Sequence, residues 1–185
     1  MSNVNIRFFG KFEITADGEL ALTQLDHARK THLFVQYLIL KRGERVSHEE
    51  LLSALSSDKE SASPANAMRT LLHRYRALIQ QSGIEELQDS VLTTRGYYQW
   101  NPNLACKVDV YEFERLVALA SDTRLSNQSR AEHCMQVLDL YSAPLLGGRA
   151  EEPWLIQWCI YYHERYLTCM MILIDLLKQQ EDYAA

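Results

Sequence analysis

The stretch Ser63-Pro64-Ala65-Asn66-Ala67-Met68-Arg69-Thr70-Leu71-Leu72-His73-Arg74-Tyr75-Arg76-Ala77-Leu78-Ile79-Gln80-Gln81 decides how the chain is read. Met68, Leu71, Leu72, Tyr75, Leu78 and Ile79 recur at three- and four-residue spacing, the mark of a helix with one apolar face. Ser63 and Pro64 supply an N-cap and a first-turn proline, and Gly83 supplies a stop, so a helix is predicted from about Ala65 to Gln81. Its opposite face carries Asn66, Arg69, His73, Arg76 and Gln80. From Pro64 to Gln81 there are three arginines and no acid. Guanidinium groups on one face can chelate guanine edges or clamp phosphates, a histidine does either more weakly, and an asparagine can pair with an adenine edge. Arg74 falls nearer the apolar side and is expected to be structural or to touch a phosphate. An arginine-bearing face also serves simply to keep an exposed helix soluble, so the neighbouring elements decide.

Downstream, Val91-Leu92-Thr93-Thr94 and Tyr97-Tyr98-Gln99-Trp100 flank Arg95-Gly96, which predicts a β-hairpin with a basic tip. Upstream, Ser47 stands three residues before Glu50, a capping-box pattern opening a helix with Leu51, Leu52 and Leu55 inward. The polar run Ser56 to Ala62 reads as a loop between the two helices. Before them, residues 27–42 show helical spacing in Leu33, Phe34, Tyr37, Leu38 and Ile39, with Lys41-Arg42-Gly43 as the stop. Residues 4–22 alternate as short strands do, and Ala16-Asp17-Gly18-Glu19 makes a tight turn. A small sheet, three helices and a basic hairpin is the layout of a winged helix-turn-helix, whose second motif helix enters the major groove while the hairpin reaches the flanking backbone.

Asn101-Pro102-Asn103 is the best linker, which places a domain over residues 1–102 and another over 103–185. Beyond the linker no strand is expected. Val110 to Ala120, Arg130 to Tyr141, Pro153 to Tyr166 and Leu167 to Gln180 each fit an amphipathic helix, with Pro144 to Gly148 as a loop. Helices paired in this way imply a helical-repeat array. Trp154, Trp158, Tyr161, Tyr162 and Tyr166 are expected to pack between helices. Glu151, Glu152, Asp109, Glu112 and Glu114 are expected to form an acidic surface, either solvated or docking another protein.

Charge and composition narrow the function classes. The chain has 185 residues and a formal charge of −5. Residues 1–100 hold twelve basic and twelve acidic residues, and the remainder hold seven and twelve, so all the excess negative charge lies in the second half. A phosphate-binding surface must therefore be a local patch in the first half. Cys106, Cys134, Cys159 and Cys169 form no CxxC pair, which argues against a zinc knuckle or a disulfide framework. No phosphate-cradling glycine loop, GxSxG or HExxH is present. His163-Glu164 and His133-Cys134 complete no metal set. Neither an enzyme nor a cofactor is expected. No apolar run reaches the roughly 18 residues of a membrane span, and the first residues lack a secretion signal, so the expected location is the cytoplasm.

Several segments together resemble a known family. Ile6 to Ile14, Gly43 to Leu52, Ser63 to Met68, His73-Arg74-Tyr75-Arg76 and Leu92 to Tyr98 resemble the OmpR-type winged helix in the form found in SARP-like regulators (antibiotic regulatory proteins). Where that family reads Ser-Ala-Arg-Asn and Arg-Leu-Arg, this chain has Ser63-Pro64-Ala65-Asn66 and Arg74-Tyr75-Arg76, so one basic position is lost. Val108 to Phe113, Leu140 to Leu146 and Glu151 to Leu155, with Tyr162 and Tyr166, resemble the bacterial transcriptional activation domain that follows. The resemblance implies an α+β winged helix-turn-helix with a small antiparallel sheet, then an all-α tetratricopeptide-like domain that normally runs on for at least one more helical pair. It implies a sequence-specific transcription activator with three kinds of partner: double-stranded promoter DNA, a second copy as a homodimer on direct repeats, and RNA polymerase contacted through the loop Ser56 to Ala62. The DNA-contacting residues expected here are Asn66, Arg69, Thr70, His73, Arg74, Arg76 and Arg95. The rival reading, motivated by the neutral first half and the missing basic residue at Ala65, is a protein-interaction module whose winged helix no longer binds DNA.

Overall fold

The computed structural model describes residues 3–23, 29–55, 64–148 and 152–184. It is α+β, with small sheets toward the N-terminus and a mostly helical C-terminal part. The order is β1 (Val4–Arg7), β2 (Glu13–Ala16), β3 (Glu19–Thr23), α1 (Arg29–Leu40), β4 (Val46–Ser47), α2 (His48–Leu55), α3 (Pro64–Ser82), β5 (Val91–Thr94), β6 (Tyr97–Trp100), β7 (Cys106–Val108), α4 (Asp109–Ser121), α5 (Asn127–Leu140) and α6 (Pro153–Ala184). One sheet runs β3-β2-β1-β7 and the other β4-β6-β5. The chain divides into two compact units, Met1–Ile6 with Glu13–Cys106, and Arg7–Phe12 with Lys107–Ala185.

In the first unit, Asp17 (φ 52°) and Gly18 (φ 87°) form the tight turn joining β2 to β3, with Ala16 opposite Glu19. Both central residues lie in the left-handed region, as a two-residue hairpin turn demands. Every residue from Thr31 to Leu40 in α1 is buried, and α1 packs against α2, α3 and β6. Ser47 Oγ accepts the Glu50 N–H at 3.1 Å, half of the expected capping box. The other half is absent: Glu50 accepts from the Tyr37 hydroxyl at 2.8 Å and pairs with Lys41 at 2.7 Å, tying α2 to α1 instead. On α3, Met68, Leu71, Leu72, Tyr75 and Ile79 are buried. The Tyr75 hydroxyl lies 2.7 Å from Ser90 Oγ, which donates to the Leu87 carbonyl. This fully buried chain of polar atoms fixes α3 to the segment leading into β5.

The second unit is built on α4, α5 and α6, with α5 packed against both others. Segment Arg7–Phe12 is part of it. Asp109 Oδ2 accepts the backbone N–H groups of Phe8 and Phe9 at 2.7 and 2.8 Å, and Oδ1 accepts that of Val110 at 2.7 Å. The Leu146 N–H donates to the Phe8 carbonyl and the Gly10 N–H to the Pro144 carbonyl. Phe9 is thereby set among Phe113, Tyr141 and Tyr162, at ring separations of 5.1, 5.0 and 5.7 Å.

Three expectations are corrected. Cys106–Val108 forms a strand although nothing beyond residue 103 alternates for long enough to announce one. Residues 153–184 form one continuous helix rather than two, because no glycine, proline or cap interrupts the chain at Tyr166-Leu167. The acidic surface does not form as expected. Asp109 is turned inward onto Phe8 and Phe9, Glu112 pairs with Arg115 at 2.6 Å, and Glu114 accepts from the Tyr162 hydroxyl at 3.0 Å. Glu151 lies outside the described residues, as do the loop Ser56 to Ala62 and the N-cap Ser63.

Replacing Asp109 by alanine leaves two backbone amides without their acceptor and is expected to destabilise the chain by ~2 kcal/mol or more in urea unfolding. Burial pushes the Asp109 carboxyl up to about 6, against the pull of its bonds to Phe9, Phe8 and Val110. The folded chain thus binds this proton before the unfolded chain does, and the contribution is lost as pH rises through about 6. From pH 7 down to about 4.5, wild-type stability is expected to rise relative to Asp109→Asn. The Tyr75→Phe change removes one buried hydrogen bond and is expected to lower stability by ~1 kcal/mol in the same measurement.

Candidate nucleic-acid interface

The side of α3 opposite its buried ridge is open. Asn66, Arg69, Thr70, His73, Arg76 and Gln80 are all exposed. Arg69, His73 and Arg76 share one face, being four and three residues apart. The Thr70 hydroxyl donates to the Asn66 carbonyl at 2.9 Å, one turn back, so it already serves the helix backbone. Arg74 is exposed as well. At a helical step of about 100° it sits on the border of the buried ridge, and its long side chain carries the charge into solvent.

The β5–β6 hairpin follows α3 in the chain. Thr94 faces Tyr97 and Val91 faces Trp100 in an unbroken register. The two turn residues are Arg95 (φ 44°) and Gly96 (φ 84°), again both left-handed. Glycine adopts that conformation freely, whereas arginine does so at a cost. Val91, Tyr98 and Trp100 point into the core, while Leu92, Thr94, Arg95 and Tyr97 are exposed. On its other side β6 pairs with β4, Val46 opposite Tyr98, and the His48 N–H donates to the Gly96 carbonyl at 3.0 Å. The N-terminus of α2 is thus bonded directly to the hairpin turn.

Tyr98 ties these elements together. Its ring meets Phe34 of α1 edge-on at 5.6 Å and His48 of α2 edge-on at 5.2 Å. Burial pushes its hydroxyl above the ordinary range while the Arg69 cation draws it back. Sequence reasoning missed this link, because no local pattern joins positions 48, 69 and 98. It also missed Arg45, which is exposed just ahead of β4. Its nearness to the hairpin follows only from strand pairing.

Among the described residues no group of three or more His, Cys, Asp or Glu could hold a metal ion, and no helix is long and apolar enough to cross a membrane. The four cysteines are free thiols.

Neither the family models nor the curated proteins compared with the sequence give a match. A solved structure does. Mycobacterium tuberculosis EmbR, in complex with low affinity phosphopeptide, aligns with a TM-score of 0.73 at 16% sequence identity. The alignment covers 95% of this chain and 46% of that chain, so this chain spans less than half of EmbR's length. Across that span the two share a fold.

Proposed function

We propose that the chain is a sequence-specific DNA-binding transcription regulator in which α2, α3 and the β5–β6 hairpin act as a winged helix-turn-helix. The observation that carries this reading is the exposed, acid-free face of α3, with Arg69, His73 and Arg76 in one row. Three features support it. A row of cations on a helix supported from behind by a packed core is the form in which side chains reach base edges and phosphates in a major groove. Arginine at a left-handed turn position is held against backbone preference, so its charge at the tip is the feature worth explaining. The fold is shared with Mycobacterium tuberculosis EmbR.

On this reading Arg69 and Arg76 read bases or clamp phosphates, and His73 and Asn66 add weaker contacts. Thr70 and Arg74 border the face, and Arg95 takes the flanking backbone. The helical unit is a tetratricopeptide-like activation domain that works with RNA polymerase in the cytoplasm. The net charge of −5 sets no attractive field for DNA over the molecule as a whole. Binding therefore depends on the local patch and falls steeply with salt.

Selection of bound duplexes from a random pool, followed by fluorescence anisotropy on the selected site, tests the proposal. Arg76→Ala is expected to weaken binding by about 1–3 kcal/mol and to relax preference at one base pair if it reads a base. Arg95→Ala is expected to weaken binding about equally for all sequences and to lower the salt slope by about 1. A folded wild-type protein that shifts no duplex at low salt would overturn DNA binding and leave a protein-interaction module.

A further inference from the structure

The first residue of α2 meets the hairpin turn twice. His48 stands where a helix leaves its backbone N–H groups without partners of their own, and its N–H donates to the Gly96 carbonyl at 3.0 Å. Its imidazole then lies along the turn. A Cβ placed on Gly96 would come within 4.0 Å of Nδ1, and the ring meets Tyr98 edge-on at 5.2 Å. Nε2 is buried and has no hydrogen-bond partner among the described residues. A buried ring nitrogen left in that state costs free energy. The side chain is therefore held by shape, wedged between the Gly96 backbone and the Tyr98 ring, and not by a hydrogen bond of its own.

What the wedge supports is strained. Arg95, the other turn residue, sits at φ 44°, in the left-handed region that an arginine enters only at a cost. The ladder closes the turn from below, with Thr94 opposite Tyr97, but β5 and β6 are only four residues each. A two-stranded ribbon of that length is marginal by itself. β4 adds two residues of pairing, ending at Ser47 opposite Tyr97, and His48 follows directly. Support passes there from strand pairing to the turn itself.

We propose that His48 is a positioning residue for DNA binding, bracing the hairpin turn so that the Arg95 charge is presented to the duplex in one direction. This rests on the reading of the hairpin as a wing. α2 packs against α3, so a brace anchored in α2 holds the turn in the same frame as the helix that carries Arg69 and Arg76. Fixing the base of a long cationic side chain beforehand removes part of the ordering cost of binding. Without the imidazole the turn keeps its backbone bond but loses the packing that directs it. Arg95 then loses its phosphate contact although Arg95 itself is unchanged.

The experiment is a double-mutant cycle read by fluorescence anisotropy on the selected duplex at several salt concentrations. His48→Ala, folded by circular dichroism, is expected to raise the dissociation constant about threefold or more and to lower the salt slope by about 1, as Arg95→Ala does. The double variant is expected to bind as Arg95→Ala alone does, within about twofold. The effects of His48→Ala and Arg76→Ala, by contrast, are expected to multiply, since Arg76 stands on α3. His48→Gln carries the same cycle should the alanine variant not fold. Effects of His48→Ala and Arg95→Ala that simply multiply overturn the positioning role and leave DNA binding standing. Coupling of His48→Ala to Arg76→Ala as strong as its coupling to Arg95→Ala marks a general loosening and overturns that role too. A wild-type chain that shifts no duplex, or an Arg95→Ala variant that binds as wild type does, overturns instead the wing reading on which the proposal rests.

Discussion

The second unit depends on one carboxylate. Asp109 stands at the first turn of α4, where it accepts from its neighbour Val110 and from the consecutive amides of Phe8 and Phe9. Burying a carboxylate is unfavourable unless its lone pairs are occupied, and three short N–H bonds occupy them. What they secure is placement. With two adjacent amides clamped, the direction of the Phe9 side chain is fixed, and it fills the space bounded by Phe113, Tyr141 and Tyr162. Offset aromatic contacts of this kind depend on orientation as well as area. The polar anchor and the apolar plug are thus one device, in which each makes the other worthwhile.

The first unit solves a different problem, which is to leave one helix face unused. The inward side of α3 is fully committed, through its apolar ridge and through the buried Tyr75–Ser90 contact. Tyr98 holds the hairpin against α1 and α2 by edge-on ring contacts rather than by any group from the outer surface. The exposed cations of α3 take no part in these contacts, and the Arg69 charge only draws the Tyr98 hydroxyl down against the larger effect of its burial. A surface freed from structural duty in this way, on a chain whose net charge is opposite, is cationic by local arrangement.

Much of this was legible in the chain itself, and the failures have physical causes. The α3 ridge, the Asp17-Gly18 and Arg95-Gly96 turns, and the exposed row at Arg69, His73 and Arg76 follow from periodicity and backbone preference, which are local. The missing half of the capping box was not legible, because Glu50 had a stronger claim on it from Tyr37 and Lys41 on another helix. Asp109 looked like surface because acids usually are, and only a contact a hundred positions away turned it inward. Residues 153–184 looked like two helices because a repeat pattern was imposed on a run with no break in it.

The placement of Phe9 also orders events in time. Phe9 is made well before its ring partners, which lie in α4, directly after α5 and in α6, the last of them at position 162. Contacts between such distant positions close late, after the intervening chain has lost much of its freedom. During synthesis the strands and helices of 13–106 can therefore assemble while Phe8 and Phe9 are still uncovered. The helical unit becomes whole only when Phe8 and Phe9 meet the later helices. The shorter stretch from Lys107 onward, though continuous in sequence, lacks the ring that Phe113, Tyr141 and Tyr162 surround.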